Sequence, residues 1–156
     1  MGIAITLREY LDSADVQYDV LPHVHTGSSS ETAQACDISG DQIAKAVILE
    51  DEDGYLMAVV PATHRVDLGV LHQRLNRHIG LATEPELEDL FMDCEPGAVP
   101  PLGQAYGIQV MIDDSLCGLD DVYLEAGNHS ELIHLKGNDF EALVEDAEHG
   151  AFSHHV

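Results

Sequence analysis

The pattern of apolar and polar positions predicts a mixture of strands and helices. Residues 55–60 are apolar throughout, which is typical of a strand buried on both faces, whereas residues 16–21 alternate apolar and polar positions like a half-buried strand. The same criteria predict further strands at residues 43–50, 108–112, 122–125 and 131–135. The acidic run that ends in Gly54 predicts a hairpin turn between two of them.

Five helices are predicted between or beside these strands. Thr6 with Glu9 and Thr83 with Glu86 have the spacing of helix-capping pairs, and Gly80 is the expected end of the helix that carries Leu71 and Leu75. The two remaining helices cover residues 30–36 and 138–144. About six strands interleaved with about five helices predict one mixed α/β domain over residues 1–150. The tail at residues 151–156 is expected to be frayed.

One charge interrupts the first strongly apolar strand. Lys45 is one of only two lysines in the chain, and strand alternation gives it the same face as Val47 and Leu49. An ammonium on an apolar face is costly unless it reaches water or a partner. Lys45 is therefore either a lysine whose stem lies along the strand while its head is solvated, or a cation at the mouth of a pocket that meets an anionic ligand.

Composition restricts the class of protein. The 156 residues are 45% hydrophobic, which is typical of one globular domain with a real core. No apolar run approaches the roughly 20 residues of a membrane span, and the N-terminus does not have the pattern of a signal peptide. The three cysteines are widely spaced, which favours a reducing compartment without disulfides. We expect a cytoplasmic protein with no membrane partner.

The charge is strongly unbalanced. Six basic residues face 29 acidic ones, a formal net charge of −23, and the acidic residues are spread over every segment. Such a surface repels itself at low ionic strength and is tolerated better when salt screens it. Adaptation to high salt is one hypothesis, and an acidic protein from an ordinary environment is the other. Neither identifies a function.

Common catalytic and metal-binding motifs are missing from the sequence. The ten histidines lie on separate predicted elements, and there is no HExxH or paired CxxC, so scattered surface histidines and no metal site are expected. No GxSxG, P-loop or GxGxxG occurs either, so no cofactor is predicted. More informative is the loop at residues 95–103, where prolines remove amide donors and glycines permit unusual dihedrals. Such a rigid loop can present backbone N–H groups to an oxygen-rich ligand, or can simply connect a helix to a strand.

Three motifs in order give the chain a family resemblance. They are AKAVIL at residues 44–49, GAVPPLG at residues 97–103, and GNH at residues 127–129 followed by LIHL at residues 132–135. Together they resemble the YbaK/EbsC family, which includes the editing insertion of bacterial prolyl-tRNA synthetase and free-standing relatives. The resemblance implies a mixed, partly closed β-sheet surrounded by helices. It also implies a trans-editing deacylase that hydrolyses alanine, cysteine or serine from mischarged tRNA.

The resemblance also implies a site at the 3′ aminoacyl end of the tRNA. Lys45 matches the essential lysine that engages the terminal adenosine, and Gly97 and Pro101 match the GxxxP loop whose backbone donors hold the ester. Family members use no dedicated side-chain nucleophile; a ribose hydroxyl of the substrate is thought to help activate water or attack the ester. An aminoacyl-tRNA synthetase is a further candidate partner. The expected substrate-binding residues are Ala46, Ala98, Val99, Gly127 and His129.

The chain departs from the family pattern at positions that bear on specificity. Cysteinyl-type members carry serine and aspartate where this chain has Glu125 and Leu132, and alanyl-type members usually have asparagine where this chain has Ala46. His129 matches a histidine of the alanyl type. The amino acid removed and the tRNA therefore stay open. The alternative function is a catalytically idle binding or regulatory module that holds an aminoacyl-adenosine-like ligand.

Overall fold

A long hairpin of two apolar strands forms the centre of the fold. The computed structural model describes residues 3–95 and 97–156. In it, β2 (Ile43–Asp51) and β3 (Gly54–Pro61) pair antiparallel along their whole length. Gly54 adopts a φ of 137°, a conformation that glycine permits at the tight turn. The hairpin predicted at this place is confirmed.

The other strands extend this hairpin on both sides. They are β1 (Asp19–Pro22), β4 (His64–Val66), β5 (Gly80–Leu81), β6 (Gln109–Asp113), β7 (Asp121–Glu125), β8 (Glu131–Lys136), β9 (Glu148–Gly150) and β10 (Ser153–His155). Eight strands form a mixed sheet in the order β1-β8-β7-β2-β3-β6-β9, with β5 also paired to β2, while β4 and β10 pair separately. The pairs β2–β7, β3–β6 and β6–β9 are parallel, and the other pairs are antiparallel.

Five short helices cover the sheet. They are α1 (Ile5–Ser13), α2 (Ser29–Cys36), α3 (Leu68–Leu75), α4 (Glu84–Leu90) and α5 (Gly137–Leu143). Single 3-10 turns lie at Gly40–Gln42, Gly103–Tyr106 and Asp114–Leu116. In the part of the chain that the structure describes, every helix is too short or too polar to cross a bilayer. The predicted mixed α/β domain is confirmed.

Strand alternation in β2 divides the core as the sequence predicts. Ala44 and Ile48 belong to the largest hydrophobic cluster, against which Ala46 also packs. On the other face, Leu49 belongs to a second cluster and Ile43 to a third. Lys45 shares this second face and lies between the two smaller clusters along the strand.

One edge of β2 is only partly paired. β3 occupies one edge completely; on the other, β7 pairs with Ile43 and Ala44 and β5 pairs with Leu49 and Glu50. Between these two partners, no strand of the described residues lies beside the segment that begins at Lys45. The sheet therefore has a gap at Lys45.

The structure corrects several predicted boundaries. α1 begins at Ile5 without a side-chain cap from its N-cap residue; the N–H of Thr6 instead donates to Asp93 Oδ2 at 2.9 Å. α3 ends at Asn76, whose φ of 54° is left-handed, rather than at Gly80. Asparagine tolerates this conformation, and Gly80 is then free to pair in β5. Four short strands (β4, β5, β9 and β10) were not predicted.

The C-terminal tail is ordered by packing, so the expectation of a frayed tail at residues 151–156 is wrong. Phe152 is 1% exposed in the second hydrophobic cluster, and its N–H donates to Asp113 Oδ1 at 3.1 Å. β10 then pairs with β4. A single buried phenylalanine fixes this segment, and six residues of sequence carry no periodicity that reveals it.

Candidate functional site

A cleft opens at the gap in the sheet edge beside Lys45. It consists of two cavities of about 300 and 270 Å³ that share Gly27, Leu87, Gly97 and Val99 in their walls. The first is also lined by Glu84, Glu88, Phe91, Cys94 and Glu95. The second is also lined by Ser28, Ser29, Ser30, Lys45, Ala46, Ile48, Ala62 and Glu125. Among the described residues of these walls, Lys45 is the only basic one, beside four glutamates.

Lys45 is held at the cleft without a strong partner. Its Nζ makes one long contact, 3.5 Å to the carbonyl oxygen of Ala62, and no carboxylate forms an ion pair with it in residues 3–95 and 97–156. Partial burial, and secondarily the positive charge of Arg65, lower the pKa of Lys45. A half-buried, weakly paired ammonium that lines a cavity fits an anion-binding cation better than a lysine extended into solvent.

Glu125 is the second charged group in this cavity, and sequence reasoning did not place it there. It lies at the end of β7, where that strand parts from β2, and it is 1% exposed. Oε1 accepts a hydrogen bond of 2.8 Å from Ser29 Oγ, whereas Oε2 is buried and accepts none from residues 3–95 and 97–156. Burial raises the pKa of Glu125, against the opposing effects of Ser29 and His129. No local pattern distinguishes Glu125, because β7 has an acidic residue at each end, Asp121 and Glu125.

The N-terminus of α2 forms another wall. Ser28 is the N-cap, and its side chain accepts a hydrogen bond of 3.2 Å from the N–H of Glu31. Ser29 follows and binds Glu125. The sequence predicted a cap within this serine run, at Ser30, but gave no indication that the run faces Lys45, because the contact joins distant segments.

The loop that contains Gly97 is fastened to the turn that contains Gly127. Gly127 donates its N–H to Ala98 O at 2.9 Å and accepts one from Glu95 at 2.7 Å, and the N–H of His129 donates to Glu95 Oε2 at 2.7 Å. Gly97 has a φ of 81°, and a Cβ there would lie 3.4 Å from His129 Cε1. Hydrogen bonds therefore join the two motifs beside the cleft.

The residues expected from the motifs fall into two groups. Lys45, Ala46, Gly97 and Val99 line the cleft. The other four residues lie behind or beside this wall. Ala98 and Pro101 are buried, and Ala98 donates its N–H to Glu95 O at 3.1 Å. Gly127 and His129 form hydrogen bonds with the loop that contains Gly97. The N–H of Ala98 is thus already engaged within the loop.

The one thiol among the described residues of the cleft, that of Cys94, is poorly suited to nucleophilic attack. Burial raises the pKa of Cys94 to about 12, and its Sγ lies 3.3 Å from Tyr106 Oη. The thiolate is the reactive form of cysteine, so Cys94 is almost entirely in the unreactive form near neutral pH. No histidine occurs among the described cleft-lining residues to activate a serine there.

Outside the cleft, one group of side chains bears on the expectation that the protein has no metal site. Ligand atoms of Asp114, Cys117 and His149 lie within 4.8 Å of one another at the surface. Burial and the charges of Glu141 and neighbouring aspartates raise the pKa of Cys117. None of the three lines the cleft.

Comparison with known proteins identifies the family. The sequence matches the family model described as the aminoacyl-tRNA editing domain over residues 23–143, which is most of the chain. The chain belongs to this family. The match confirms the resemblance drawn from the three motifs, and all of the elements around the cleft lie within it. No curated protein matches the chain significantly.

Solved structures share the fold at low identity. The hypothetical protein APE2540 superimposes with a TM-score of 0.84 at 20% identity, covering 96% of this chain and 99% of its own. A candidate trans-editing enzyme for prolyl tRNA synthetase gives 0.81 at 23% identity, covering 96% and 95%. A candidate signal transduction protein from Marinobacter aquaeolei gives 0.76 at 20% identity, covering 96% of this chain but 30% of its own. These likenesses confirm the YbaK-like fold expected from the motifs.

Proposed function

We propose that this editing domain acts in trans as an aminoacyl-tRNA deacylase that removes alanine, cysteine or serine from mischarged tRNA. The observation that carries the proposal is the convergence of Lys45 and Gly97 on one cleft in a chain of the editing family. Cavities of about 300 and 270 Å³ suit a small amino acid and its ribose rather than a long peptide. We further propose a cytoplasmic location, where such a substrate is formed, with a synthetase as a further candidate partner.

In the proposed reaction, water adds to the ester carbonyl and the 3′ oxygen of the tRNA leaves with a proton. Lys45 offsets the negative charge that develops on the carbonyl or at the neighbouring phosphate, which is an oxyanion-type contribution. The Gly97 loop, supported by Pro101, presents backbone to the ester. As the family resemblance implies, activation of the water is assigned to the ribose hydroxyl of the substrate. The raised pKa of Cys94 agrees with a reaction that uses no thiol nucleophile.

The competing proposal is a binding module of the same fold that no longer hydrolyses its ligand. Four glutamates line the cleft beside a single lysine, an arrangement that disfavours a polyanionic substrate. A deacylation assay separates the two proposals. Ala-, Cys- and Ser-tRNA, each mischarged and end-labelled, are incubated with the protein and with a Lys45→Met variant.

Hydrolysis of at least one ester, lost in the variant, supports the deacylase and identifies the amino acid. Equal rates with and without protein for all three esters would contradict it and favour the binding module.

A further inference from the structure

The cleft contains a buried carboxylate that the proposed reaction does not use. Glu125 is 1% exposed, lines the same cavity as Lys45 and has one oxygen, Oε2, that accepts no hydrogen bond from the described residues. Burial disfavours the ionised form of this carboxyl group, and native proteins rarely retain a buried carboxyl oxygen without a partner or a ligand. A site that is incomplete in the free protein can be completed by a bound cation.

The groups around Glu125 do not provide that cation. Ser29 is neutral and binds only Oε1, and Cys36 is a thiol whose pKa is raised by burial and then by the charge of Glu125 itself. His129 lowers the pKa of Glu125, but less than burial raises it. Lys45 lines the cavity, yet it forms no ion pair with Glu125 within the described residues.

Strand register explains why Lys45 and Glu125 face the same cavity. β2 and β7 run parallel with Ala44 opposite Leu124, so Lys45 and Glu125 occupy the next register position, where the strands part. The preceding pair, Ile43 and Tyr123, contributes to one small cluster on the same face, beneath α2. The cavity therefore combines a cation and a carboxylate on one wall. A ligand that carries both an oxyanion or ester oxygen and an ammonium complements this pair.

We propose that Glu125 binds the α-ammonium group of the aminoacyl moiety and thereby restricts the protein to esters of free α-amino acids. The inference rests on the proposed function, because it identifies the ligand of the same cleft. Every aminoacyl-tRNA carries an α-ammonium beside its ester, whereas a peptidyl-tRNA or an N-formylated ester carries an uncharged amide there. A carboxylate that is stabilised by a cation favours the first class over the second, because an acylated nitrogen offers Glu125 no positive charge.

Binding of non-hydrolysable analogues tests this proposal without requiring turnover. The probes are 3′-amino-3′-deoxyadenosine linked by an amide to alanine or to lactic acid, which differ only by an α-ammonium and an α-hydroxyl. Dissociation constants are measured by calorimetry for the wild type, Glu125→Gln and Glu9→Gln. Glu125→Gln keeps the volume and an acceptor for Ser29, and Glu9→Gln makes the same change at an exposed carboxylate on α1, outside the cleft.

We expect the wild type and Glu9→Gln to bind the alanyl analogue about 10-fold or more tightly than the lactyl analogue, as expected for a hydrogen bond between charged groups. Glu125→Gln should reduce this preference to within about 2-fold by weakening alanyl binding while lactyl binding stays unchanged or improves. Thermal melting of each variant verifies folding.

Equal binding of the two analogues by the wild type, a preference that survives in Glu125→Gln, or no detectable alanyl binding would each overturn the proposal. Deacylation of mischarged tRNA is scored separately. Hydrolysis without a preference for the ammonium would refute the role of Glu125 and leave the deacylase standing. A preference for the ammonium without hydrolysis would refute the deacylase and leave the role of Glu125 standing.

Discussion

Replacing Lys45 by methionine should separate catalysis from stability. Methionine keeps the length and the apolar stem but removes the ammonium. Because one charged or hydrogen-bonding group directed at a developing oxyanion contributes about 2.7–4 kcal/mol to transition-state stabilisation, kcat/KM for deacylation should fall about 100- to 1,000-fold. The measurement is the release of labelled amino acid from mischarged tRNA under single-turnover conditions. Lys136→Met is the matched control, because Lys136 is the other lysine and is an exposed residue that contacts Asp121 at 3.4 Å.

The ammonium group of Lys45 should not contribute to the stability of the fold. Its contact with Ala62 O is long, at 3.5 Å, and its lowered pKa means that the folded protein releases this proton before the unfolded chain does. As pH rises from the lowered pKa to the ordinary lysine value, the wild type should therefore gain stability, and Lys45→Met should lack this gain. At neutral pH, the Tm of the variant should equal or exceed that of the wild type. A variant with activity within about threefold of the wild type, or one that fails to fold, would refute this account of Lys45.

Three further experiments test the Gly97 loop, the Cys94 thiol and the effect of the net charge. Gly97→Ala should reduce turnover more than it reduces stability. Gly107 is the control, because its φ of 72° is similar and an added Cβ there would meet open space. Gly107→Ala should lower only the free energy of unfolding, by about 1 kcal/mol, measured by thermal melting. Cys94→Ser should retain activity over pH 6–9, since a thiol with a pKa of about 12 contributes no thiolate there, and a large loss of kcat would contradict this. Because the net charge is −23, activity on tRNA should stay flat or rise between about 50 and 200 mM salt; a steep fall would indicate a concealed basic surface.

The sequence by itself determined the central hairpin and the face on which Lys45 lies. Apolar runs on both sides of the turn at Gly54 leave few alternatives to the pairing of β2 with β3, because the signal is local and strong. The motif around Gly97 likewise identified one wall of the cleft, and three ordered motifs identified the family. These features depend on residues that are close together in the sequence, so they can be recognised before the fold is known.

Tertiary structure alone decided what surrounds Lys45. The gap beside it exists because β7 and β5 pair with opposite ends of one edge of β2, and no local pattern specifies which strands meet there. The same parallel register brings Glu125 into the cavity, and Ser29 reaches Glu125 through the packing of α2. Periodicity assigns a side chain to a face, but the partner across that face is chosen by long-range pairing, whose free energy is distributed over many distant contacts. For this reason the lysine could be recognised from the sequence, and the carboxylate beside it could not.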